Sequence, residues 1–361
     1  KLQKNVNLRV TILLGALYER LGQNVNAKQI YDNYRDLHPG TTKLDRAYNR
    51  LKAAEKPEPN NQTVSDGVAE ALFSLGFAIQ NQDPYQAIIF SRLAIYLRPS
   101  FTIAKLLLAG SLEDNDKLEE ANNIYHSMSK DPNYSWATRL RIANNLDGLG
   151  KTDDAIRDLR AMALEKIERS DALIRLGDIL QRHKRYQASI NAYEQAKKRI
   201  QGVNNKHWPL YFSLGISYER IRKWPMAEKN LLMALELSPN HPSILNYLGY
   251  SWLEQGLYLD RAEKMIRDAV KQRPRDGYII DSLGWGYYRL KKFDAAVLEL
   301  ERAVLYRPED PIINDHLGDA FWRVGRKNEA RFQWRRSLSL NPKEDLIRKV
   351  TDKLKYGLSH E

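Results

Sequence analysis

The chain has 361 residues, no cysteine, and 57 basic against 45 acidic residues, a formal net charge of +12. Without cysteine there is no disulfide, no thiolate metal site and no cysteine nucleophile, and no redox compartment is singled out. Length alone suggests two or three domains. The charges are mixed without a block of six of one sign, which is the pattern of a solvated surface more than of a dedicated polyanion site.

In chain order, the apolar run from Val10 to Tyr18 is too short to cross a bilayer, which needs about 20 residues. The chain starts at Lys1 already inside a helical pattern, so further residues are expected before it. Residues 8–41 read as a helical hairpin marked by Leu14-Gly15, Tyr18, Ala27, Tyr31 and Pro39. With a short amphipathic helix over 43–54 they make an N-terminal element, residues 1–54. Glu55 to Asp66 contains Pro57, Pro59 and several Asn, Gln and Ser, and reads as a linker. Residues 67–207 hold four less regular hairpins. The first has Leu75-Gly76 and Pro99, but Ile88 stands at its small position and Ala87 falls one early. The next three pair Ala109 with Ala121, Ala143 with Ala155, and Gly177 with Ser189, each twelve residues apart.

Residues 208–344 write one pattern four times. Leu214-Gly215, Leu248-Gly249, Leu283-Gly284 and Leu317-Gly318 recur at intervals of 34, 35 and 34. Ala227, Ala262, Ala296 and Ala330 follow them, and Pro239, Pro274, Pro308 and Pro342 close the copies. A fixed period near 34 marks stacked helical hairpins. Small residues let two helices approach, so Gly215 and Ala227 are expected face to face, with Tyr211 and Tyr218 beside them. Proline ends the second helix because it lacks an N–H and clashes with the preceding turn. One hairpin cannot bury its own apolar face, so each stacks on the next. Residues 345–361 read as a capping helix, with Leu346, Ile347, Val350 and Leu354 on one side and Arg348, Lys349 and Lys353 on the other. No alternating strand pattern competes. The expected fold class is all-α, about nine helical hairpins and a C-terminal cap.

No catalytic constellation is found. There is no His-Glu-x-x-His and no Gly-rich phosphate loop after a strand. The seven histidines, His316 among them, are scattered over different hairpins and read as surface or packing residues. No enzyme activity, cofactor, metal or small-molecule substrate is expected.

The Leu-Gly, Tyr, Ala and Pro marks resemble the tetratricopeptide repeat family. The resemblance implies a right-handed superhelical α-solenoid whose first helices line a concave groove that holds proteins or peptides. The family's groove positions fall here on Arg220, Asn246, Tyr250, Asp281, Trp285, Tyr288, Arg289, Asp315, Asp319, Trp322 and Arg323. Tyr250, Trp285, Tyr288 and Trp322 are expected to form an aromatic strip beside the arginines, the residue types enriched at binding hot spots. Asn246, Asp281 and Asp315 suit hydrogen bonds to the backbone of a bound segment. The Lys and Asn set that clamps a chaperone's terminal carboxylate is not met by any three successive repeats. Two runs, Asp276-Gly277-Tyr278-Ile279-Ile280-Asp281-Ser282-Leu283-Gly284-Trp285 and 316–336, resemble proteobacterial periplasmic or outer-membrane lipoproteins built from such repeats. Adaptors that bring cell-wall hydrolases to a C-terminal processing protease are among them. That resemblance implies attachment through a lipid-bearing Cys before Lys1, with a cytoplasmic location as the alternative. The second functional class is a binder of anionic polymer, nucleic acid or cell-wall glycan, through a basic groove. Homo-oligomerisation through the last helix is a further expectation.

Overall fold

The computed structural model describes residues 8–38, 44–57, 63–129, 131 and 134–358. Pro39 and residues 58–62 of the expected linker lie outside them. Among the described residues there are twenty α-helices, a 3-10 turn at Asn205–His207, and no strand. The chain forms two compact units, residues 1–139 and 140–361.

In the first unit α1 (Leu8–Arg20) and α2 (Asn24–Leu37) form a hairpin against which α3 (Asp45–Ala53) packs. Two more hairpins follow, α4 (Val64–Ile79) with α5 (Pro84–Leu97), and α6 (Thr102–Asp114) with α7 (Leu118–His126). Helix α4 begins inside the stretch read as linker. Thr63 and Asp66 close a reciprocal capping box there, each side chain bonding the other's backbone N–H, and this starts the helix at Val64. In the 69–101 hairpin it is Ala87, not Ile88, whose carbonyl lies nearest the position of a Cβ on Gly76.

Helix α8 (Ser135–Gly148) spans the division, and α9 (Thr152–Glu165) follows it in the chain. The second unit continues as α10 (Asp171–Arg182) with α11 (Tyr186–Arg199), α12 (Trp208–Arg220) with α13 (Trp224–Leu237), and α14 (Pro242–Gln255) with α15 (Leu259–Gln272). It closes with α16 (Gly277–Arg289) and α17 (Phe293–Tyr306), α18 (Pro311–Arg323) and α19 (Lys327–Ser339), and α20 (Glu344–Tyr356). Among the described residues eight hairpins have contacting helices, besides α8 and α9. First helices touch the next first helix, as α14 does α16 and α16 does α18, so within the unit the hairpins stack in parallel. Proline ends the second helices as expected. Ser238, Arg273 and Arg307 precede Pro239, Pro274 and Pro308 and leave the helical region, with φ of −144°, −127° and −139°.

The small glycine has a different use from the one its spacing suggested. A Cβ on Gly177 would fall 2.3 Å from Tyr193, on Gly284 2.6 Å from Leu300, and on Gly318 2.4 Å from Trp334. In each case the opposing residue lies sixteen along. The glycine makes room for a large core side chain, and the alanine at twelve contributes its backbone carbonyl, as Ala330 does at 3.1 Å. Trp334 is buried by this arrangement, at 0% exposure.

The capping helix turns the expected apolar face inward except at its edges, Ile347 and Lys353. Val350 is buried, and Leu346 and Leu354 pack around it against α18 and α19 side chains. Ile347 is 41% exposed. Lys353, read as part of the polar side, turns inward instead. It lies three residues from Val350, which keeps it on the same helical face.

Candidate functional site

The first helices α12, α14, α16 and α18 carry all the candidate binding residues. Trp285 is the centre of what they build. Its ring stacks on Tyr288 at 4.7 Å and 6°, and on His316 at 4.0 Å and 16°. Its indole N–H donates to Glu254 Oε1 at 2.9 Å. Arg289, exposed beside it, reaches both Glu254 oxygens at 3.4 Å. Arg323 donates to the Tyr288 hydroxyl at 3.2 Å, and Phe293 meets the Tyr288 ring edge-on. Trp285, Tyr288 and Tyr250 are half-buried. Burial raises the phenol pKa of both tyrosines; Glu254 and Asp281 push Tyr250 further, so both phenols stay protonated donors.

The acidic residues of the set are held from within. His316 donates through Nδ1 to Asp281 at 2.9 Å. Burial works against the imidazolium, but Asp281, then Asp315 and Asp319, outweigh it and raise the His316 pKa. Lys353 Nζ donates to Asp315 at 2.7 and 2.8 Å and to Asp319 at 2.7 Å. Trp334 donates to the other Asp319 oxygen at 2.9 Å. Burial still lifts the Asp319 pKa to about 6, against the pull of Lys353 and with a further push from Asp315.

The remaining residues divide. Trp322 leans on Trp334 at 5.3 Å, and Gly357 lies so close that a Cβ there would fall 2.2 Å from the Trp322 ring. Lys327 and Arg331 flank the same ring. Trp322 is therefore covered by the end of the chain, whereas Trp285 and Tyr288 stack together and Tyr250 packs beside the α14 core. Arg220 is exposed, 3.6 Å from Glu219, which in turn accepts from Tyr247 at 3.0 Å. The Asn246 Oδ1 is buried and meets no donor among the described residues.

Glu254, His316 and Lys353 were not among the binding residues chosen from the sequence, and between them they hold Trp285, Arg289, Asp281, Asp315 and Asp319. One regularity could have pointed to them. Glu254 precedes Trp285 by 31 residues and Asp281 precedes His316 by 35, close to one repeat.

Known proteins match parts of this arrangement. The family model of the tetratricopeptide repeat matches residues 140–202 and 282–343. Those two stretches are similar to tetratricopeptide repeats. A BBSome complex member of Bos taurus is 29% identical over 112 residues, 31% of this chain and 20% of the relative. A TPR repeat-containing protein of Pseudomonas aeruginosa is 27% identical over 110 residues, 29% of this chain and 19% of the relative. Each match thus spans about a fifth of the curated relative. The crystal structure of the APC/C hetero-tetramer Cut9–Hcn1 aligns over 97% of this chain and 63% of its own, with a TM-score of 0.60 and 16% identity, a likeness of fold. Repeats of this kind are in general scaffolds for protein–protein interaction and not catalysts.

Proposed function

We propose that the chain is a non-catalytic adaptor that holds a protein or peptide segment against α14 and α16. The observation that carries this reading is the half-buried Trp285–Tyr288 stack, set between the arginines Arg289 and Arg323 and beside Tyr250. Rigid aromatics with arginine neighbours give large contact area for little lost freedom. Trp285 and Tyr288 are already pinned by Glu254, His316 and Arg323, so they are ordered before any partner arrives. The buried Asn246 oxygen, one repeat before Asp281, accepts a donor from a bound backbone in this reading.

The resemblance of residues 276–285 and 316–336 to envelope adaptors supports a finer version. In it the chain works in the periplasm or at the outer membrane and brings cell-wall hydrolases to a C-terminal processing protease. Affinity capture by the full chain from its source cell, with mass spectrometry, tests both levels. The expected outcome is recovery of protein partners by the native chain and their loss with Trp285→Ala plus Tyr250→Ala, helicity being retained. Undiminished capture by that double variant overturns the binding face. Partners without a protease or hydrolase overturn only the finer version.

A further inference from the structure

Within the second unit every turn that joins a first helix to its second lies on the same edge of the stack. Three side-chain contacts show this, because they join the C-terminal ends of successive first helices. Arg182 donates to Asp147 at 2.7 Å, Arg289 to Glu254 at 3.4 Å, and Arg323 to Tyr288 at 3.2 Å. The turns at 182–185, 220–223, 289–292 and 323–327 each carry three Lys or Arg and no acid, twelve cations in all. The connectors on the opposite edge mix signs. Residues 166–171 hold two bases and two acids, 238–241 hold neither, and 307–310 hold one base and two acids.

Several of these cations are not used to hold the fold. Lys184, Arg222, Lys223 and Lys291 are exposed and enter no ion pair among the described residues. Three of them stand in left-handed backbone, Lys184 at φ 58°, Arg222 at φ 60° and Lys291 at φ 59°. Other turns of the unit put glycine in that region, at Gly150, Gly256 and Gly325. A side chain there costs about 1 kcal/mol that glycine avoids. The turn in the middle of the row has no such cluster. It projects Leu257, Tyr258 and Leu259, which are 37%, 60% and 38% exposed.

We propose that this edge docks the second unit on an anionic bilayer surface. The basic turns meet the headgroups, and Leu257, Tyr258 and Leu259 enter the interface between them. Packed helices lie 8–10 Å apart, so five successive turns make a row roughly 35 Å long. Such a row fits a charged plane, where each cation near the surface strengthens binding roughly fivefold. A soluble polyanion matches the cations but has no use for three exposed apolar side chains. The boundary of a bilayer buries them and favours tyrosine at headgroup depth. Among the described residues no helix is long and apolar enough to cross a membrane, and this docking needs none.

Flotation of the full chain with phosphatidylcholine vesicles, with and without phosphatidylglycerol, tests the proposal. Binding is expected only with the anionic lipid, and it should weaken as salt is raised. Lys184→Glu, Arg222→Glu, Lys223→Glu and Lys291→Glu together should lower it by about a hundredfold or more. If that variant misfolds, Lys184→Gly, Arg222→Gly and Lys291→Gly remove charge while relaxing the turns, and should also weaken binding. Leu257→Ser with Leu259→Ser should weaken vesicle binding and leave binding to duplex DNA or polyglutamate unchanged. Equal binding to neutral vesicles, or none to anionic ones, overturns the proposal. So does a Leu257/Leu259 variant that binds vesicles as the native chain does, which would assign the edge to a polyanion in solution.

Discussion

Lys353 Nζ lies 2.7 Å from Asp315 Oδ1 and 2.7 Å from Asp319 Oδ2, so a single lysine of the last helix closes over two carboxylates of α18. The lysine side chain is 16% exposed and the two carboxylates 8% and 7%. Removing one member of a buried pair strands the other's charge, at a cost of about 3–5 kcal/mol. Lys353→Met is expected to lower the stability of the second unit by that order. Hydrogen exchange should show α20 losing protection first, and unchanged protection of α20 would mean that Val350 alone holds it.

The same cluster gives an unusual pH dependence. Burial keeps the Asp319 pKa at about 6, against Lys353, while an unfolded aspartate titrates near 3.9. The folded chain holds that proton more tightly, so the stability it contributes is present in acid and lost as pH rises through about 6. His316 has the same sign. Its folded pKa is raised, so its contribution is full below the unfolded value of about 6.5 and is lost as pH rises through the higher folded value. The second unit should therefore be more stable at about pH 5 than at about pH 7.5, by on the order of 1–2 kcal/mol. Denaturant midpoints across that range check this, and Asp319→Asn with His316→Gln should flatten the profile.

Two glycines should respond in opposite directions to the same change. Gly284→Ala puts a methyl 2.6 Å from Leu300 and should destabilise by about 1–3 kcal/mol. Gly110, inside α6, has nothing within 4 Å of a Cβ, and Gly110→Ala should stabilise by about 0.5–1 kcal/mol. Chemical denaturation of each variant decides.

The left-handed cations give a separate stability test. Lys291→Gly and Arg222→Gly should each raise stability, by up to about 1 kcal/mol, because glycine adopts that backbone freely. A fall in stability would show that these side chains support the turn.

The repeat was legible because its marks answer to local rules: a proline that ends a helix, and a glycine that admits a large neighbour. The hairpins, the core positions of Tyr211 and Tyr218, and the cap follow from those rules. What the spacing could not convey was which side chain of the next repeat reaches back. Asp315 and Asp319 look free for a partner until Lys353, 38 and 34 residues on, is placed against them. The glycine at the hairpin contact was noticed, but its true opposite lay four residues beyond the alanine. A helix brings that next turn round to the same side, and spacing alone does not say which of the two is nearer.

The tight fit that recurs in this chain, a glycine against a bulky side chain sixteen residues away, is internal to one hairpin. Such a unit carries its own closure with it, and low contact order lets it form before its neighbours arrive. Duplication or loss of a whole unit leaves that closure intact, which is how an array of this kind lengthens by copying. The links from Glu254 to Trp285, Asp281 to His316 and Asp315 to Lys353 have no such freedom. They tie each of the last units to one named successor, so the end of the array has a fixed order.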